Sequence, residues 1–127
     1  MTAVSQSEYN PRNTDGFDIG EASYVTLENI KVVNQDDCVA FKPGCDYVTV
    51  RNIECNCSHG LSVGSLAKYP GSVDTVTNIL VQGATMRNSS KAIGIKISRW
   101  TQLQHGSSAQ HDVGGHLYRE LRYCVPV

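Results

Sequence analysis

Aligned against itself, the chain repeats a short strand-forming unit, and that period constrains the fold more than any other feature. Val25-Thr26-Leu27-Glu28-Asn29-Ile30 matches Val48-Thr49-Val50-Arg51-Asn52-Ile53, and Thr75-Val76-Thr77-Asn78-Ile79 keeps the pattern more loosely. In each unit β-branched residues alternate with polar ones, the period of a strand with one buried face, and Gly, Asn, Asp or Pro punctuate the ends. No segment sustains a helical period. Short strands recurring at nearly even intervals, without helices between them, fit a solenoid with strands stacked in parallel. An antiparallel sandwich would need hairpin turns about every 8–12 residues. The spacing therefore predicts an all-β parallel β-helix. Leu27, Ile30, Val50, Ile53, Val76 and Ile79 should form inward-facing rows, and Asn29, Asn52 and Asn78 one column.

A second strand of each turn repeats as well: Asp15-Gly16-Phe17-Asp18-Ile19, Asp37-Cys38-Val39-Ala40-Phe41 and His59-Gly60-Leu61-Ser62-Val63. Asp15, Asp37 and His59 stand at equal intervals. In a solenoid whose turn length equals that interval, equivalent positions sit one strand spacing apart, about 4.8 Å. Two carboxylates and an imidazole thus stack in a column, with Asp36 beside them. Stacked like charges raise each other's pKa and stabilise nothing structurally. The same arrangement lets one carboxyl stay protonated as an acid while another stays ionised as a base.

Taken singly, each residue has a plainer reading. Asp36-Asp37 after Asn34-Gln35, and Asp15 before Gly16, read as solvated turns. Clustered carboxylates also suit calcium. His59 alone reads as a hydrogen-bonded structural residue, and Lys96 as a solvated strand end. The shared register is what unrelated turns would not keep.

Eleven Lys plus Arg against twelve Asp plus Glu leave no basic surplus to attract nucleic acid or a membrane surface, and 40% hydrophobic residues argue against disorder. No stretch approaches the roughly 20 apolar residues of a membrane span, and residues 1–10 lack a signal-peptide layout. Five cysteines contain no zinc-type CxxC pair, and two sequons begin at Asn56 and Asn88 as glycosylation candidates. Together they point to a secreted ancestor whose leader is lost. A monomer without metal or other cofactor is expected.

The strings Asn13-Thr14-Asp15, Asp36-Asp37, Ser58-His59-Gly60 and Gly94-Ile95-Lys96 resemble, in order and spacing, the four signature motifs of the polygalacturonases, glycoside hydrolase family 28. The stretch 13–97, with VVNQDDCVAFKPG and SHGLSVGSL, looks most like the fungal exopolygalacturonases. The resemblance implies a right-handed parallel β-helix that hydrolyses α-1,4-galacturonosidic bonds of pectin with inversion. It makes Asp36 the general acid, Asp15 and Asp37 the groups that activate the attacking water, and His59 the residue that orients the acids. Inverting enzymes separate acid and base by roughly 6.5–9.5 Å to admit that water. Lys96, as a point charge for the uronate, and Asn13 are the substrate-binding candidates. The resemblance also implies a Cys38–Cys55 disulfide bridging adjacent turns. Gly94 stands where the family's motif carries arginine, so a bidentate carboxylate clamp is missing there. A calcium-dependent pectate lyase on the same architecture, and a non-catalytic remnant, are the competing readings.

The repeat stops after Ile97. The chain divides into a partial β-helix over 1–97, truncated at both ends, and an irregular tail over 98–127. A change of reading frame would explain the tail, since codons for 113–124 can be chosen to spell another family-like turn in a shifted frame. The acids, His59 and Lys96 are expected to converge on one solvent-facing groove.

Overall fold

The computed structural model describes residues 1–2 and 11–98. Seven strands follow one another: β1 (Phe17–Ile19), β2 (Thr26–Val33), β3 (Val39–Phe41), β4 (Cys45–Asn56), β5 (Leu61–Leu66), β6 (Val76–Arg87) and β7 (Ile93–Ile97). They form two parallel sheets, β1-β3-β5-β7 and β2-β4-β6. Among the described residues there is no helix. Successive strands alternate between the sheets, so the chain winds through coils that stack like with like. This is the right-handed parallel β-helix.

The Asn-Ile repeat marks a corner. In β4, Val48 and Val50 point inward, then Ile53 and Cys55 do, so the alternation changes phase at Asn52. Asn52 makes that change with φ of 51°, and Asn29 does the same with 56°. Asparagine tolerates this left-handed conformation because its side chain bonds locally. Here the two side chains also join coil to coil, Asn52 Nδ2 donating to Asn29 Oδ1 at 2.7 Å.

The third coil corrects the expected columns. Glu28 pairs with Arg51, 23 residues on, but Arg51 pairs with Gln82, 31 residues on. Most of the added length lies between β5 and β6, where the link 67–75 replaces the much shorter link 42–44 between β3 and β4, and the rest lies in β5, which is longer than β3. Leu27 and Ile30 stack under Val50 and Ile53 as expected. Val81 and Ala84, not Val76 and Ile79, continue those rows; Val76 and Ile79 stack on Cys45 and Val48. Gly83, at φ of 69°, takes the corner above Asn52. Asn78 belongs to a different column, above Tyr24 and Tyr47, all three with positive φ. Its Nδ2 bonds Asp46 Oδ1 at 2.8 Å.

Val32, Val39, Val48, Val50, Ile53 and Cys55 form the fully buried core between the sheets. Each such aliphatic side chain contributes about 1.5–3 kcal/mol through burial. Cys38 and Cys55, 17 residues apart, are disulfide-bonded inside this core. The bridge runs from the start of β3 to the end of β4, so it closes one coil instead of joining adjacent ones. Of the two sequons, Asn88 is exposed at a turn, whereas Asn56 is half-buried at the end of β4 and Ser58 of its triplet is fully buried. The expected irregular tail and frame change concern residues that, apart from Ser98, lie outside those described. Ser98 still joins the sheet, its N–H donating to the Leu66 carbonyl at 2.9 Å.

Candidate active site

The even register holds through the first three coils: Phe17 pairs with Val39, and Val39 with Leu61. Asp15, Asp37 and His59, each two positions earlier, therefore occupy equivalent places at the entry to β1, β3 and β5. Backbone bonds lock these entries together. Gly16 N–H donates to the Asp37 carbonyl, Cys38 N–H to the Gly60 carbonyl and His59 N–H to the Asp36 carbonyl, each at 2.8 Å. Gly60 has φ of 82°, and a Cβ there would run into the Lys91 carbonyl oxygen. Only glycine fits the turn that follows His59.

Asn34 organises both acid-bearing turns. It is buried, and its Nδ2 donates to the carbonyls of Thr14 at 2.8 Å, Asp36 at 3.0 Å and Asp37 at 2.8 Å. Thr14 Oγ1 accepts from Gln35 N–H at 3.2 Å, adding a second tie between the turns. Asn34→Ala should take the side-chain donor from the Thr14 carbonyl and leave the Asp36 and Asp37 carbonyls with only the His59 and Gly16 N–H groups, at a cost of about 1–3 kcal/mol. Urea unfolding of that variant beside Asn34→Gln would measure it; wild-type stability in the alanine protein would show the network to be dispensable.

The acids have different surroundings. Asp36 is 20% exposed, and its Oδ1 lies 3.1 Å from His59 Nδ1. Asp37 has no exposed surface: Ser62 Oγ donates to its Oδ1 at 2.6 Å, and Lys96 Nζ pairs with its Oδ2. The expectation of three groove-facing carboxyls therefore holds for Asp15 and Asp36 only. Asp37 lies beneath the floor because Ser62 and Lys96, from the two following coils, close over it.

Asp15 is pushed up to about 7, by burial first, then by its hydrogen bond with Asp18 and the negative charges of Asp36, Asp18 and Asp37. A hydrogen bond between two carboxyls needs a proton on one of them. Lys42 Nζ stands 3.6 Å from Asp15 Oδ2, a pairing that alone would lower its pKa. That ammonium is shared with Asp18 at 3.3 Å, so it does not offset burial and three neighbouring acids. Lys96 is held charged above the usual lysine range. Burial, the largest influence, pulls it down, but its bond to Asp37 and the charges of Asp37, Asp36 and Asp15 outweigh that.

These groups border a groove of about 430 Å³ lined by Asn13, Asp15, Asp18, Asp36, Lys42, Ser65 and Lys96. Its lining side chains are all polar, three carboxyls and two lysines among them. One donor atom each from Asp36, Asp37 and His59 falls within 4.8 Å of the others. Lys96 Nζ pairs with Asp37 there, and His59 Nδ1 lies 3.1 Å from Asp36 Oδ1. Of the site residues expected from the sequence, Asn13, Asp15, Asp36 and Lys96 line the groove, His59 touches Asp36, and Asp37 lies behind Lys96. Sequence reasoning missed Asn34, Lys42 and Ser62. Their one signal was position, because Lys42 and Ser62 fall on outward-facing positions of the register and Asn34 precedes the acid pair.

A stacked-coil scaffold with paired carboxyls at the coil entries is open to more than one chemistry, and the family match gives the class: the chain belongs to the glycosyl hydrolases family 28, whose match covers residues 1–108. It is 62% identical over 96 residues to the probable endo-xylogalacturonan hydrolase A of Emericella nidulans, covering 76% of this chain and 24% of that one. The endo-xylogalacturonan hydrolase A of Aspergillus tubingensis is likewise 62% identical over 96 residues, covering 76% and 23%. The crystal structure of endo-xylogalacturonan hydrolase from Aspergillus tubingensis superposes with a TM-score of 0.72 at 62% identity, over 76% of this chain and 26% of that chain. The chain thus spans about a quarter of the length of these relatives.

Proposed function

We propose that this chain supplies the catalytic coils of a secreted, endo-acting hydrolase of pectin that cleaves galacturonosidic bonds in a xylose-bearing galacturonan. The observation that carries the reading is the pairing of Asp36, bonded to His59, with a groove-facing Asp15 across successive coils. Asp36 protonates the leaving glycosidic oxygen, and Asp15 takes the proton of the attacking water. Asp37 supports that water activation from beneath, through its charge and the lysine it holds. Inversion follows from attack on the face opposite the acid. Lys96 lies at the groove wall with an ammonium within reach of a uronate carboxylate, and Asn13 borders the same space. The relatives' names supply the endo mode and the xylogalacturonan backbone; the sequence resemblance to exo-acting enzymes is the second reading. The buried disulfide supports secretion, because such bridges persist in oxidising compartments.

Incubation of the purified protein with xylogalacturonan and with polygalacturonate tests this. New reducing ends should form without an unsaturated product, chelator should not change the rate, and viscosity should fall before galacturonate monomer accumulates. Monomer released first would replace the endo reading with the exo one. A chelator-sensitive, unsaturated product would mean a lyase. No product from folded protein would mean a non-catalytic remnant.

A further inference from the structure

Lys42 is used by none of the signature motifs, yet it enters the groove beside the proposed base. It directly follows β3, and its N–H donates to the Ile19 carbonyl at 2.7 Å, which fixes its backbone against the first coil. Gly20 stands over it: a Cβ there would lie 3.1 Å from Lys42 Cβ, so the bare glycine leaves room for the lysine stem. The side chain is two-thirds buried, and its ammonium reaches Asp18 Oδ1 at 3.3 Å and Asp15 Oδ2 at 3.6 Å.

Asp15 is faced by Asp18 from β1, by Asp36 and Asp37 from the turn before β3, by Lys42 from the end of β3 and by Lys96 from β7. Lys96 is committed to Asp37. Among the described residues, Lys42 is the cation within ion-pair distance of Asp15. We infer that Lys42 is a positioning residue for catalysis: its ammonium, set against both Asp15 and Asp18, favours the ionised form of Asp15 and keeps that carboxyl aimed into the groove.

The inference rests on the proposed role of Asp15, and its test is read partly without activity. Carboxyl-carbon NMR titration of the whole chain, with Asp15→Asn used to assign the signal, should place the Asp15 midpoint near 7. Lys42→Gln removes a positive charge that favours the ionised form, so the midpoint should rise by about one pH unit or more. Lys42→Arg should restore it, and Asp18→Asn, which removes a negative neighbour, should lower it. The acid limb of the kcat profile should move in the same directions, because an ionised base is needed, while KM stays close to wild type. An unmoved midpoint in folded Lys42→Gln would overturn the inference. So would a raised KM with an unmoved acid limb, which would make Lys42 a grip on the substrate's uronate. Should Lys42→Gln fail to fold, Asp18→Asn decides: an unchanged Asp15 midpoint there also overturns it. A wild-type chain that hydrolyses nothing would sink the proposed function alone, and the titration would still decide Lys42.

Discussion

Replacing Asp36 with asparagine is expected to lower the hydrolysis rate of a xylogalacturonan or polygalacturonate substrate by about 10²–10⁴-fold, the usual worth of positioned proton transfer. The substitution keeps the shape of the side chain. An amide oxygen can still accept from the Asp37 N–H, which now lies 2.8 Å from Asp36 Oδ1, and from a protonated His59 nitrogen. On the proposed mechanism, what is lost is the group that hands a proton to the leaving sugar oxygen. The fold should therefore survive while turnover collapses, and KM should change little. Paired thermal melts and steady-state kinetics would separate these effects. A folded Asp36→Asn protein that hydrolyses at the wild-type rate would remove Asp36 as the acid.

Lys96→Ala should destabilise the protein as well as weaken substrate binding. From sequence alone, Lys96 reads as a surface charge waiting for a uronate. In the folded chain it already pairs with Asp37, which has no exposed surface. Removing one partner of a buried pair leaves an uncompensated charge, typically about 3–5 kcal/mol. Ser62 Oγ remains on one Asp37 oxygen, which softens the loss without replacing the charge. Urea unfolding of the variant beside the wild-type chain would measure the loss. A difference under about 1 kcal/mol, as for an exposed ion pair, would mean that Asp37 is better solvated than its burial indicates.

The two lysines divide the groove's electrostatics. Lys96 pairs with the buried Asp37 from a later coil, and Lys42 pairs with Asp15 and Asp18 from the neighbouring coil. Together they allow four carboxyls to stand close without unfolding the entries to β1 and β3. On the proposed function, a substrate uronate arriving at Lys96 would compete with Asp37 for one ammonium.

Much of this was legible in the chain. The strand rows at Leu27–Val50 and Ile30–Ile53, the column of Asp15, Asp37 and His59, and the Cys38–Cys55 pair all appear as expected. The first two followed from a repeat length that changes little between the first coils, so that equal spacing meant equal position. The reading failed where the spacing changed. The longer link between β5 and β6 moved Asn78 out of the corner column and gave its place to Gly83, although Asn-Ile is the better local match. Local similarity could not reveal this, because stacking is set by the length of the whole coil.

What the sequence determined by itself is therefore the period, and through it the β-helix, the alternation of its faces and the set of residues able to form an acid column. The tertiary structure alone decided which of those acids sees solvent. Asp37 is buried by Ser62 and Lys96, 25 and 59 residues away, and Asp15 is kept in the groove beside Lys42 and Asp18. Burial and charge pairing arise between coils, from side chains whose meeting depends on every intervening turn, so they are absent from any local stretch of the chain.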